Sequence, residues 1–151
     1  MLGVDILVQE AVSIQAANLD LTKQQSLHLI TGNSLNVLPQ LVSQGMKFDV
    51  VFLDGDHNYH TVSSEMQHMN SLIHDNSIVV VDDYSGRWGE RDMWYAEREG
   101  YESVSIASTK IDTEKHGVKP AIDEWLEKNP GWNKQVLMGG EPVVLTKNFK
   151  F

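Results

Sequence analysis

The sequence predicts an α/β domain, a mostly parallel sheet covered by helices and closed by an antiparallel hairpin strand at its C-terminal edge. Three observations predict it. Short apolar runs alternate with stretches of helical periodicity over most of the chain, the pattern of strands joined by helical crossovers. The run SIVVV at 77–81 is the most apolar and β-branched segment, the composition of a strand covered on both faces. The last two apolar runs flank Gly139-Gly140, a two-residue hairpin connection.

Taken in order, LGVDIL at 2–7 reads as a short buried strand, and Val8, Ala11, Val12 and Leu19 follow near helical spacing. A second strand over 27–30 ends at Thr31-Gly32-Asn33. Leu35, Leu38, Leu41 and Val42 then mark one face of a short helix interrupted by Pro39 and closed by Gly45. FDVVFL at 48–53 is the third strand and runs into the polar loop Asp54-Gly55-Asp56-His57-Asn58-Tyr59; Val62, Met66, Met69 and Ile73 line the helix after it. The strand SIVVV stops at Asp82-Asp83-Tyr84. Residues 85–100, with Trp88, Trp94 and Tyr95, read as partly helical, packed over the strand ends. Val118, Ile122 and Trp125 share one face of a helix stopped by Asn129-Pro130-Gly131, and strands over 135–138 and 142–146 end the chain.

The 151 residues, 41% apolar, suffice for one core and too few for two domains, so residues 1–151 read as a single domain. Acids outnumber bases 21 to 12, for a net charge of −9, and the bases are scattered; a nucleic-acid partner is not expected. No run approaches the length of a membrane span and the start lacks a signal-peptide pattern, so the expected location is cytoplasmic with no membrane partner. The absence of Cys excludes thiolate metal sites.

Open parallel sheets bind ligands beyond the carboxyl ends of their strands. The residues there are Asp5, Asn33, Asp54, Asp56, Asp82 and Asp83. Three ionised acids about 4 Å apart repel by roughly 4 kcal/mol per pair at an effective dielectric near 20. A divalent cation such as Mg²⁺ held by Asp54, Asp82 and Asp83 would neutralise them, and a substrate hydroxyl bound to it would lose its proton more easily. Asp56 and His57 are the candidate general bases. Asp5, between a strand and a helix, is placed to accept the hydroxyls of a nucleotide ribose.

The segments FDVVFLDGDHNYHTV, SIVVVDDY and GVKPAIDEWLEKNPGW resemble, in order and over nearly the whole chain, the class I S-adenosylmethionine-dependent methyltransferases related to macrocin O-methyltransferase and cephalosporin-hydroxylase-like proteins. The resemblance implies a Rossmann-like three-layer sandwich. It implies S-adenosylmethionine as cofactor with Asp5 at the ribose, Asn33 near the adenine and Asp54 beside them; a Mg²⁺ site at Asp54, Asp82 and Asp83; and a small-molecule or sugar hydroxyl as methyl acceptor. Such enzymes carry a glycine-rich loop ahead of the acid matching Asp5, whereas this sequence begins four residues before it. Gly139-Gly140, followed by a Pro-containing strand, does not replace that loop. The expectation is therefore an N-terminally truncated domain, lacking the holder of the methionine end and the sheet's central strand. Its unpaired backbone would be covered by rearrangement or by another chain, with homo-oligomerisation through the open sheet. The alternative is a non-catalytic remnant or binding module that keeps the acidic pocket. A receiver-type signalling domain fails on order, because its acidic strand end comes first in the chain.

Overall fold

The computed structural model describes residues 1–7, 14, 18, 19, 21, 25–101, 103–137 and 141–148. The expected helix through Val8, Ala11 and Val12, and the Gly139-Gly140 turn with Met138, lie outside the described residues. The elements run β1 (Leu2–Asp5), β2 (His28–Thr31), α1 (Ser34–Ser43), β3 (Val50–Leu53), α2 (Tyr59–Leu72), β4 (Ile78–Val81), a 3₁₀ turn (Tyr95–Glu97), α3 (Val118–Lys128), β5 (Asn133–Val136) and β6 (Val143–Thr146). This is the alternating α/β order of a Rossmann-like domain.

Asn33 and Asn58 start α1 and α2 as N-caps, their side-chain oxygens accepting the backbone N–H of Leu35 and Thr61. Pro39 does not interrupt α1, which continues through it. Its ring is on the exposed side, so the hydrogen bond it removes is lost where water can replace it. The region 85–100, expected to be partly helical, is built of turns with only the 3₁₀ turn at Tyr95–Glu97. Gly86, Gly89 and Gly100 there favour tight turns over a helical run.

α1 packs on α2 and α2 on α3. Beneath them Val79, Val81, Val143 and Leu145 meet Met66, Met69, Leu72, Val118 and Ile122, none more than 1% exposed. Each such side chain contributes roughly 1.5–3 kcal/mol by leaving water. No helix among the described residues is long and apolar enough to cross a membrane.

The sheet departs from expectation in two ways. The antiparallel strand is β6, and it is interior: the order is β3-β4-β6-β5, with β6 antiparallel to both neighbours. The reason is burial. All four residues of β6, VVLT, are buried, whereas β5, NKQV, is exposed throughout and takes the edge. Second, the strands form two sheets. β1 and β2 pair in parallel, Leu2 opposite His28 to Asp5 opposite Thr31, separately from the parallel pair β3 and β4. The free edges of β1 and β3 line one cavity, floored by Leu38, Leu41, Met69 and Leu72. Val50 and Phe52 of β3 are 62% and 59% exposed.

Candidate functional site

The carboxyl ends of β1, β2 and β3 open into the same cavity, of about 380 Å³. Asp5, Asn33, Asp54 and Asp56 line it together with Glu65, Tyr95, Tyr101 and Ser108. Its lining is apolar along β1 and β3 and polar at their carboxyl ends.

Asp5 is exposed and accepts the Leu7 N–H at 2.9 Å, an Asx turn that orients the carboxylate at the strand end. Asn33 is buried, with its polar atoms engaged. Besides capping α1 it donates through Nδ2 to the Ile106 carbonyl at 2.9 Å and to Ser108 Oγ at 3.0 Å. Asp56 accepts the Tyr95 N–H at 2.6 Å through Oδ1; burial pushes its carboxyl up, while Tyr95 and the Ser108 hydroxyl pull it down. Asn33 and Asp56 therefore both tie the segment 95–108 across the strand ends as a strap.

Asp54 is half-exposed at the mouth. Burial, then the charge of Asp82, raise its pKa, against the pull of His57. His57 stands behind Asp54, its Nε2 3.7 Å from Asp54 Oδ1 and its Nδ1 3.7 Å from Asp83 Oδ2. It is 7% exposed and lies outside the cavity, in a recess with Glu65, Val81 and Asp82. Asp83 adopts φ +54°, a conformation costly for a non-glycine residue and typical of functional or tightly packed turns. Its carboxylate fills the space where a Cβ on Gly86 would lie, 2.3 Å from Oδ1.

The expected Mg²⁺ site meets its test here. Asp54, Asp82 and Asp83 are hard-oxygen donors, the right chemistry for Mg²⁺. Among the described residues, however, no three acidic or histidine side chains close around one point. The convergence is partial: Asp82 lies near enough to raise the Asp54 carboxyl, and the His57 ring stands between Asp54 and Asp83.

Three groups escaped the sequence reading. Glu65 is 4% exposed on the core face of α2, its carboxyl pushed up to about 7 by burial and, to a lesser degree, by Asp56, against a hydrogen bond with Ser34. Its signal was an acid on the apolar stripe of Val62, Met66 and Met69. Tyr101 packs against Tyr95 with ring centroids 4.9 Å apart and planes tilted by 53°; nothing in its spacing announces this. Asp92 accepts the N–H groups of Tyr59 at 3.0 Å and Gly117 at 2.7 Å, and its Oδ2 lies 2.7 Å from His116 Nδ1. It joins the starts of α2 and α3 to the root of the strap.

An acidic cavity at the strand ends of a Rossmann-like sheet stands where open α/β domains bind their ligands. A family model described as methyltransferase domain matches residues 4–84. More than half of the chain is covered, and the chain belongs to this methyltransferase-domain family. Among solved structures it is similar to a structural-genomics protein from Corynebacterium glutamicum, at 15% identity and a TM-score of 0.58, over 99% of this chain and 61% of that one. It is similar also to cofactor-bound Rv0187 from MTB, at 16% identity and 0.52, over 99% and 62%. A third is a SAM-dependent methyltransferase from Bacteroides fragilis in complex with S-adenosyl-L-homocysteine, at 12% identity and 0.45, over 93% and 59%. The chain thus spans about three-fifths of the length of these structures. No curated protein matches the sequence.

Proposed function

We propose that the protein is an S-adenosylmethionine-dependent O-methyltransferase acting on a hydroxyl of a small molecule or sugar. The observation that carries the reading is the cavity at the ends of β1, β2 and β3, which Asp5, Asn33 and Asp54 all line, in a chain of the methyltransferase-domain family. Asp5 is the ribose acceptor. Asn33 borders the adenine side, and because its own polar atoms are engaged, it acts by shaping that wall. The cofactor supplies an electrophilic methyl group on sulfur.

A proton leaving the acceptor hydroxyl at the mouth reaches Asp54 first. The raised pKa of Asp54 makes it a better base than an ordinary carboxylate. His57, between Asp54 and Asp83, stabilises the charge from behind as a positioning residue. Asp56, spent on Tyr95 and Ser108, holds the strap. A Mg²⁺ ion, if bound, would be held by the carboxylate oxygens of Asp54, Asp82 and Asp83 and would ease loss of the proton from a substrate hydroxyl.

Transfer of a labelled methyl group from S-adenosylmethionine to a panel of hydroxylated acceptors tests the function. Asp54→Asn should lower turnover at least a hundredfold, and His57→Asn should lower kcat more than it raises KM. Turnover unaffected by both overturns the assignment. Loss of turnover with a chelator, restored by Mg²⁺, supports the metal-dependent form.

One observation favours a second reading. The free edges of β1 and β3 with exposed Val50 and Phe52 suit a binding module that associates with its own copies through the open sheet. A folded protein that binds no S-adenosylmethionine by calorimetry, yet is dimeric by light scattering, supports this reading over the first.

A further inference from the structure

The turn that follows β4 is held by a polar cluster away from the cavity. Tyr84, 3% exposed, donates its hydroxyl hydrogen to Asp123 Oδ1 of α3 at 2.7 Å and accepts a hydrogen bond from Lys134 Nζ of β5 at 2.5 Å. Lys134 donates to Asp123 as well, and Lys119, one turn earlier on α3, donates to Asp123 Oδ2 at 2.7 Å. The Lys119 and Lys134 ammonium groups lie 5.8 Å and 5.1 Å from the centroid of the Tyr84 ring, within reach of its π face. Burial pushes the Asp123 carboxyl up, but hydrogen bonds from Lys119, Lys134 and Tyr84 outweigh it and hold the carboxyl at about 2. These groups satisfy one another, which makes them a clamp and not a ligand site. Packing alone would need only a Phe ring at this position; the hydroxyl fixes where the far end of the ring lies.

The clamp bears on the residue before it. The Asp82 N–H still continues the sheet, bonded to the Leu53 carbonyl at 2.9 Å, and Tyr84 is pinned to α3 and β5. Asp83 alone joins these two anchors. At φ +54° it is the one non-glycine residue with positive φ among the described residues, a conformation that persists only where its surroundings over-determine it. Two glycines make room for the turn: Gly86 leaves the space that Asp83 Oδ1 occupies, and Gly89 admits the Tyr84 carbonyl to 2.7 Å of where a Cβ would lie. The turn so formed sets Asp83 Oδ2 3.7 Å from His57 Nδ1.

We propose that Tyr84 is a positioning residue, whose hydroxyl, held by Asp123 and Lys134, keeps the Asp83 turn in place and through it the His57 ring. The inference rests on the reading of His57 as part of a methyl-transfer site and extends that site to α3 and β5. Tyr84 does not line the cavity and acts only through Asp83. Without the hydroxyl the ring can slide in its socket, Asp83 can relax to negative φ, and its carboxylate withdraws from His57.

Tyr84→Phe removes the hydroxyl and keeps the buried ring. NMR of the histidine ring protons at one fixed pH follows His57, its signal identified by its loss in His57→Asn. That signal should shift and broaden in Tyr84→Phe, while those of His74 and His116, bonded to Asp49 and Asp92, stay unchanged. In methyl transfer kcat should fall about tenfold with KM within about twofold, the signature of lost alignment and not of lost binding. The same substitution in the His57→Asn chain should have little further effect, because residues that act through one another are not additive. A purely structural role would lower both backgrounds equally. If Tyr84→Phe fails to fold, Lys134→Met, which opens the clamp from the exposed strand β5, gives the same readouts. An unmoved His57 signal, or losses that multiply in the double variant, overturns the proposal and leaves the methyltransferase reading standing. Absence of methyl transfer by the unaltered protein overturns that reading, and the His57 signal then decides the placement by itself.

Discussion

Replacing Glu65 by Gln should make the protein more stable, and increasingly so as pH rises. Glu65 is buried on α2 with its carboxyl raised from 4.5 to about 7, so the folded protein prefers it protonated. The folded value lies above the unfolded one. The stability associated with the protonated carboxyl is therefore fully present below pH 4.5 and is lost as pH rises through about 7. At about 1.4 kcal/mol per pH unit, the loss over that window is about 3 kcal/mol. Gln has nearly the same shape, can keep a hydrogen bond with Ser34 and has no charge to bury. Urea unfolding of both proteins at pH 4.5, 6 and 7.5 measures the effect. The stability difference should be small at pH 4.5 and grow by about 3 kcal/mol toward Gln by pH 7.5. Asp54 and Asp56 also titrate with raised values, but they are present in both proteins and largely cancel. A difference that stays constant with pH would refute the reasoning, because it would mean that the Glu65 carboxylate is solvated or paired in the folded state.

Other substitutions test the packing around the site. Gly86→Ala would set a Cβ 2.3 Å from Asp83 Oδ1 and should cost about 2 kcal/mol in thermal or urea unfolding, with Asp83→Gly in the same chain recovering much of it. Asn58→Ala removes the cap on Thr61 at 2.7 Å and the bond to the Met93 carbonyl from a residue with no exposure, and should cost about 2 kcal/mol. For Asp92, hydrogen bonds from Gly117, His116 and Tyr59 outweigh burial and hold the carboxyl below 3.8. Its contribution is present above 3.8 and lost as pH falls through the lowered value. The stability gap between the protein and Asp92→Asn should accordingly narrow in acid unfolding experiments, and hydrogen exchange should show the strap 95–108 loosened at neutral pH.

Much of this molecule was legible in local pattern. β-Branched runs specify β3 and β4 because a strand buried on a pleated surface needs those shapes, and Asn33 and Asn58 specify helix starts because their side chains satisfy orphan N–H groups. The acids at the strand ends follow from the same periodicity. Other features arose only from the tertiary structure. Which of β5 and β6 lies inside depends on comparing burial across segments. The placement of His57 between Asp54 and Asp83, the approach of Asp82 to Asp54, and the bond that ties Tyr95 to Asp56 all join residues of different elements. Periodicity reports which face of an element is apolar; it does not report the distance between two carboxylates on different elements.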